Sequence, residues 1–181
     1  MSKVITILED KLVPVAAWIA QNKYINGIRR AFIMMMPLLM IGSIFLMISA
    51  FPLPAYQRGM TSLFGEGWKD VLDIPVSATF SLIALYVAFL VAQQLAKQFE
   101  LDSIAVGLLS LASFLILTPL GHSTEHGAVI TFDWLGSKGM FVAMVIGVVT
   151  VKIFQFFVNR NILVKMPDGV PPEVIKSFEA L

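Results

Sequence analysis

The chain has 181 residues, 57% of them hydrophobic and 14% charged, with a net charge of +1 and no cysteine; its mean hydropathy is +0.83. Soluble domains carry roughly 25% charged residues, so this composition points to lipid as the solvent. The small net charge gives no footprint for nucleic acid, and the missing cysteines exclude disulfides, thiolate metal sites and a cysteine nucleophile.

Residues 1–28 read as an amphipathic cytoplasmic segment. Val4, Leu8, Leu12, Val15 and Ile19 fall on one side, with Lys3, Glu9, Asp10 and Lys11 largely elsewhere. A helix so patterned is expected to lie on the membrane surface or pack against the bundle edge, with a kink at Pro14. Glu9, Asp10 and Lys11 also interrupt the only early apolar region, which is not the pattern of a secretory signal.

A bilayer crossing takes about 20 apolar residues. Ala31 to Leu53 and Ile74 to Ala96 are uncharged, as is the shorter Ser103 to Gly121, and Gly139 to Asn159 carries only Lys152. The expected fold is therefore all-α and polytopic: four transmembrane helices (31–53, 74–96, 103–121 and 139–159) preceded by an amphipathic helix. Pro37 is expected to kink the first span. Residues 160–181 read as a cytoplasmic segment with a Pro167-Asp168-Gly169 turn. The start of a fifth helix follows, with Val174, Phe178 and Leu181 on one face.

Small residues recur inside these spans. Ala84, Ala88, Ala92 and Ala96 form a ladder at i+4, Ser103 and Gly107 a shorter one, and Gly139, Ala143 and Gly147 a third. In lipid, association is driven by close packing, so such ladders mark helix–helix or dimer faces. Ten basic residues flank one side (Lys3, Lys11, Lys23, Arg29, Arg30, Lys97, Lys152, Arg160, Lys165 and Lys176). Only Arg58, Lys69 and Lys138 flank the other. That asymmetry places both termini in the cytoplasm.

Three features could carry chemistry. His122-Ser-Thr-Glu125-His126 matches the H-x-x-E-H zinc pattern. It falls in a short segment between Pro119 and Gly127 rather than on a stable helix, so a solvated outer loop is the reading taken and no metal is expected. Lys152 lies within its span about two turns from the end, where snorkelling or pairing at a bundle face outranks a functional charge. Gln93 and Gln94 are expected to reach the interface or bond across helices. In Leu135-Gly-Ser-Lys-Gly-Met-Phe141, Gly136 and Gly139 permit a tight turn into the fourth span and Ser137 is placed to cap it. The amides of that helix start could alternatively donate to a sugar hydroxyl.

Several stretches together resemble one family. GIRRAFIMMMPLLMIGSIFLMI resembles the first membrane helix of the membrane subunit, component IIC, of bacterial sugar phosphotransferase systems, in the lactose/cellobiose/diacetylchitobiose group. LAKQFELDSIAVGLLSLASFLILTP resembles its link between helices two and three. LGSKGMFVAMVIGVVTVKIFQFFVNRNILVKMPDGVPPEVIKSFEAL resembles its fourth helix and the following segment, MPDGVPP being the most specific part. Two departures stand out. The family pattern Arg-Asp-Gly is replaced by Arg29-Arg30-Ala31, which could alter the helix start. Family members are also more than twice as long, so the chain is expected to be the N-terminal portion of such a subunit.

The resemblance implies a dimeric bacterial plasma-membrane permease that carries a β-linked disaccharide of the cellobiose or diacetylchitobiose kind inward. Partner subunit IIB, supplied by IIA, would phosphorylate the sugar, so this chain would hold no catalytic residue and no cofactor. Most sugar contacts are expected in the half not represented here, with Gly136, Ser137 and Lys138 the candidates to approach substrate. Three hypotheses follow. One is a transport subunit that does not transport as 181 residues alone. The second is a non-transporting scaffold that pairs with itself or with an intact IIC. The third is a zinc hydrolase using His122, Glu125 and His126.

Overall fold

A computed structural model describes residues 13–160, apart from 15, 125 and 126. The first amphipathic segment is thus seen only from residue 13 onward. The MPDGVPP turn and the start of a fifth helix lie outside the described residues.

Helix α1 runs Lys23–Ser49. It begins where Asn22 Oδ1 accepts from the amides of Tyr24 (2.9 Å) and Ile25 (3.2 Å), the arrangement an N-cap asparagine provides. The helix start therefore precedes Arg29-Arg30-Ala31, and that departure from the family pattern does not set it. Gly27, Ala31, Met35, Gly42 and Ser49 are buried along one face, and Pro37 sits inside the helix. Met36, Met40, Ile44 and Met47 are exposed on the others. At about 1.5 Å per residue α1 is longer than the ~30 Å hydrocarbon layer.

The segment after α1 holds a helix that the apolar periodicity did not reveal. Pro54 opens α2 (Pro54–Phe64), which has no buried residue. Tyr56 Oη donates to Ile48 O (3.0 Å) and Gln57 Nε2 to Phe51 O (2.8 Å), which ties α2 back to the end of α1.

The second predicted span, 74–96, is two helices. Helix α3 covers Trp68–Phe80 and α4 covers Ile83–Gln98, with Ser81 and Leu82 between them. Thr79 Oγ1 donates back to the carbonyls of Pro75 (2.9 Å) and Val76 (3.0 Å), a bond that bends helices. Across the interruption Tyr86 Oη donates to Ala78 O (2.8 Å), so a carbonyl near the break has a partner.

Helix α5 (Ser103–Leu117) is N-capped by Asp102, whose Oδ1 accepts from Ile104 and Ala105 amides at 3.1 Å each. It has 15 residues, about 22 Å, and stops short of the predicted residue 121. Thr118 ends it, and the chain turns into an antiparallel hairpin of β1 (Leu120–Ser123) and β2 (Gly127–Ile130), with Leu120 opposite Ile130. The outer loop expected there is partly strand. A single turn α6 (Phe132–Leu135), a 3-10 turn (Ser137–Gly139) and helix α7 (Met140–Asn159) complete the described chain.

Among the described residues three stretches have the length and hydropathy of a bilayer crossing: Lys23–Ser49, Trp68–Gln98 and Ser137–Asn159. The third expected span, α5, is apolar but shorter.

Helix α4 is the centre, packed against α1, α5 and α7. Its alanine ladder is the reason: Ala84, Ala88, Ala92 and Ala96 are all fully buried. Facing residues are small or polar enough to match. A Cβ on Gly147 of α7 would lie 3.1 Å from Val91 Cγ1 and 3.3 Å from Ala92 N, and one on Gly107 of α5 would meet the Phe89 ring at 2.8 Å. Ser110 Oγ donates to Ala88 O at 2.7 Å, fully buried between α4 and α5. Ser110→Ala removes that bond and is expected to cost about 0.6 kcal/mol, the usual size of such bonds in membrane bundles. A chemical-unfolding comparison in mixed micelles checks it.

On the α1 side, Gln94 Nε2 reaches Met34 Sδ (2.9 Å) and Gln93 Oε1 (3.2 Å). Gln94 thus bonds across helices, as the sequence suggested. At the end of α4, Lys152 sets its ammonium over Tyr24 and Phe99 rather than pairing with an acid among the described residues.

Candidate functional site

The interruption between α3 and α4 and the turn into α7 lie side by side. An added Cβ on Gly136 would be 3.5 Å from Ser81 O, 3.6 Å from Phe132 O and 3.7 Å from Phe80 O. Gly136 is therefore buried against the carbonyls of the broken helix, while Ser137 and Lys138, next in the chain, are exposed.

Gly139 has a different role. A Cβ there would collide with the carbonyl oxygen of Trp134, and Phe114 Cζ would be only 3.3 Å away. Its bare Cα lets the chain fold back over α6 before α7 begins. Gly139 also takes the N-cap position of α7, and no side chain caps that helix. The expectation that Ser137 caps it is corrected on that point: Ser137 sits in the preceding 3-10 turn, too early in the chain. The Gly139 amide donates to Gly136 O (3.2 Å) and the Met140 amide to Ser137 O. What this turn can offer a ligand is chiefly the exposed Ser137 and Lys138 side chains.

Lys138 Nζ lies 3.6 Å from Asp133 Oδ1, with both side chains more than two-thirds exposed. A pair this open contributes at most about 1 kcal/mol and leaves the ammonium available to hydroxyl oxygens.

Beside the turn a largely apolar cleft of about 470 Å³ is lined by α3, with Asp70, Asp73 and Ser77 alternating with Ile74 and Ala78, by Leu82 at the break and by Phe132 of α6. Its size falls in the range of small-molecule sites, and carboxylates, a hydroxyl and an aromatic ring are the groups that hold hydroxylated ligands. The sequence reading missed it. Asp70, Asp73 and Ser77 stand at i, i+3 and i+7 on one helical face, and that spacing was the available signal. A second cleft, of about 570 Å³ at the α2–α3 corner, is lined by Gln57, Arg58, Glu66, Trp68 and Lys69. Trp68 is committed to packing there: its Nε1 donates to Thr61 Oγ1 (3.3 Å) and the residue is buried.

The zinc pattern is not assembled in what can be seen. His122 lies in β1, Glu125 and His126 fall outside the described residues, and among the described residues no three His, Cys, Asp or Glu groups could hold a metal.

A helical bundle with apolar outer faces, an interrupted central helix and, at the interruption, a largely apolar cleft edged by two carboxylates and a hydroxyl defines part of a polytopic membrane protein. Comparison with known proteins gives the particular family. The pattern of the phosphotransferase system EIIC family matches residues 29–181, and the chain belongs to that family. It is 44% identical, over its whole length, to the cellobiose-specific EIIC component of Geobacillus stearothermophilus, covering 42% of that protein. It is 43% identical to the lichenan permease IIC component of Bacillus subtilis (strain 168), again covering 42%.

Among solved structures, it matches the crystal structure of ChbC, the IIC component of the N,N'-diacetylchitobiose-specific phosphotransferase system. The TM-score is 0.87 with 40% identity, over 96% of this chain and 42% of that one. The chain thus spans about two-fifths of the length of the relatives it matches.

Proposed function

We propose that the chain is part of a membrane permease that translocates a β-linked disaccharide, cellobiose-like or diacetylchitobiose-like, for phosphorylation by subunit IIB in a phosphoenolpyruvate-dependent system that also uses IIA. The single observation that carries this reading is the agreement with ChbC, in which 40% identity accompanies a TM-score of 0.87. Phosphoryl transfer belongs to the partner subunits, and the chain works as a carrier. The membrane is the bacterial plasma membrane with the N-terminus cytoplasmic, which the distribution of basic residues supports.

The part represented here supplies mainly scaffold. Its buried alanine ladder fixes the bundle, and its exposed apolar faces suit lipid and a second IIC copy, identical or full-length. Transport needs the remaining length that the relatives have, so these 181 residues alone are expected not to move sugar. Gly136 shapes the turn beside the cleft, and Ser137 and Lys138 are the side chains there that would meet a sugar hydroxyl.

The test uses a chimera in which this chain replaces its counterpart in the cellobiose-specific relative. One lost hydrogen bond is worth about 1 kcal/mol. Ser137→Ala is accordingly expected to raise the half-saturating cellobiose concentration about fivefold with little change in maximal rate. An unchanged concentration dependence in both Ser137→Ala and Lys138→Ala would remove these residues from the sugar path.

A further inference from the structure

At the far end of α4 from the cleft, three helices meet in a basic and aromatic cluster. Lys152 Nζ of α7 lies 5.1 Å from the Tyr24 ring centroid and 5.6 Å from that of Phe99. Lys23 Nζ, at the start of α1, lies 5.3 Å from the same Phe99 ring. The two rings are 5.5 Å apart and tilted by 53°. Two ammonium groups therefore share one aromatic support, which holds them in place through the ring quadrupole without cancelling any charge.

Nothing else described in the cluster cancels it either. The one ion pair among the described residues is Lys138–Asp133, at the other end. Of the local acids, Asp102 is engaged in capping α5 and Glu100 is exposed without an ion pair among the described residues. The carbonyl end of α4 contributes about half a negative charge, against two full positive ones. Lys97 adds a further exposed cation in the last turn of α4. Beside the cluster Ile153 of α7 is half exposed and Ile25 of α1 is exposed; Phe156, also half exposed, has the Arg160 guanidinium 5.3 Å from its ring centroid, a further cation on that side.

We propose that Lys23 and Lys152 form a binding site for a phosphate-bearing anion, supplied by an anionic phospholipid whose acyl chains lie along α7 and α1. Two ammonium groups held over the Phe99 ring can give a phosphodiester charge-assisted hydrogen bonds, and the adjoining apolar side chains favour a ligand that is itself part lipid. Free phosphate shares the headgroup chemistry but has no use for Ile153 and Phe156. The proposal does not depend on the transport reading.

Native mass spectrometry of the full chain, extracted in neutral detergent, compares phosphatidylglycerol with phosphatidylcholine, each with and without added inorganic phosphate. Retention of phosphatidylglycerol on the order of tenfold over phosphatidylcholine is expected, lost in Lys23→Gln/Lys152→Gln and kept in Lys69→Gln at the opposite end. Inorganic phosphate that binds and is lost in the same double variant, with no lipid preference, supports the site with a free anion as its ligand. Equal retention of both lipids with no phosphate effect overturns the proposal, as does a preference that survives the double substitution. Photoactivatable phosphatidylglycerol on the unaltered chain makes the result independent of how the variants fold. Crosslinks on peptides containing Lys23 to Ile25 or Lys152 to Phe156 support the site, and crosslinks confined to other peptides count against it.

Discussion

Gly139→Ala is expected to destabilise the bundle by about 3 kcal/mol, the upper end of what a forced overpacking costs. The added methyl would be driven into the Trp134 carbonyl, and a backbone group cannot rotate away as a side-chain tip can. Relief requires the α6 turn to lift from the start of α7, which also disturbs Phe114 beneath it. Gly136→Ala, three residues earlier, supplies the contrast. Its new methyl would find nothing closer than 3.5 Å, and its φ of −87° suits any residue. That variant should stay within about 0.5 kcal/mol of the parent. Unfolding curves in mixed detergent micelles, followed by far-ultraviolet circular dichroism, read both. Equal stability of the two variants would mean that the turn is not held as described.

Ala92→Leu is the second large effect. Ala92 is fully buried, and its backbone faces Gly147 closely enough that even a methyl there would touch it at 3.3 Å. A leucine at position 92 places three further carbons between α4 and α7, with an expected cost of about 3 kcal/mol and separation of α7 from the bundle. Ala112→Leu adds the same atoms on the exposed face of α5 and is expected to be neutral within about 0.5 kcal/mol. Protease sensitivity of the α7 end, alongside the unfolding midpoint, distinguishes local detachment from global loss. If Ala92→Leu matches Ala112→Leu, the ladder is not a packing face.

Much of this was legible in the residues because lipid makes the signal simple. Uncharged runs marked where helices lie, and alanine at every fourth place in 84–96 marked the buried face, since only small residues let helices approach closely. The breaks were harder to read. Nothing in the apolar run from Ile74 to Ala96 distinguishes Ser81 and Leu82: its one proline, Pro75, lies inside α3 rather than at the break, and the side-chain bonds that flank the break come from Thr79 and Tyr86. Helix α2 escaped notice because it buries no side chain and so leaves no apolar stripe. The hairpin was obscured by a zinc-like pattern, although Gly127, at φ +71°, is the kind of residue such a turn uses.

At the candidate site the glycine-rich turn was found, but its parts were assigned differently. Ser137 was expected to cap α7, while Gly139 takes that position. Asp70, Asp73 and Ser77 each look alone like an ordinary polar residue at the edge of an apolar run. Their joint meaning depends on Phe132 and Leu82 arriving from other parts of the chain, which no local spacing encodes.

The central proposal is that this chain is part of a phosphotransferase sugar permease for β-linked disaccharides. Its most direct test is uptake of radiolabelled cellobiose and diacetylchitobiose by cells that have IIA and IIB but lack any permease for these sugars. With the chimera that carries this chain in the cellobiose-specific relative, accumulation of phosphorylated disaccharide is predicted, dependent on phosphoenolpyruvate, and the 181 residues alone are predicted to give none. A folded, membrane-inserted chimera that accumulates neither sugar would contradict the account, as would one that accumulates them unphosphorylated and without phosphoenolpyruvate.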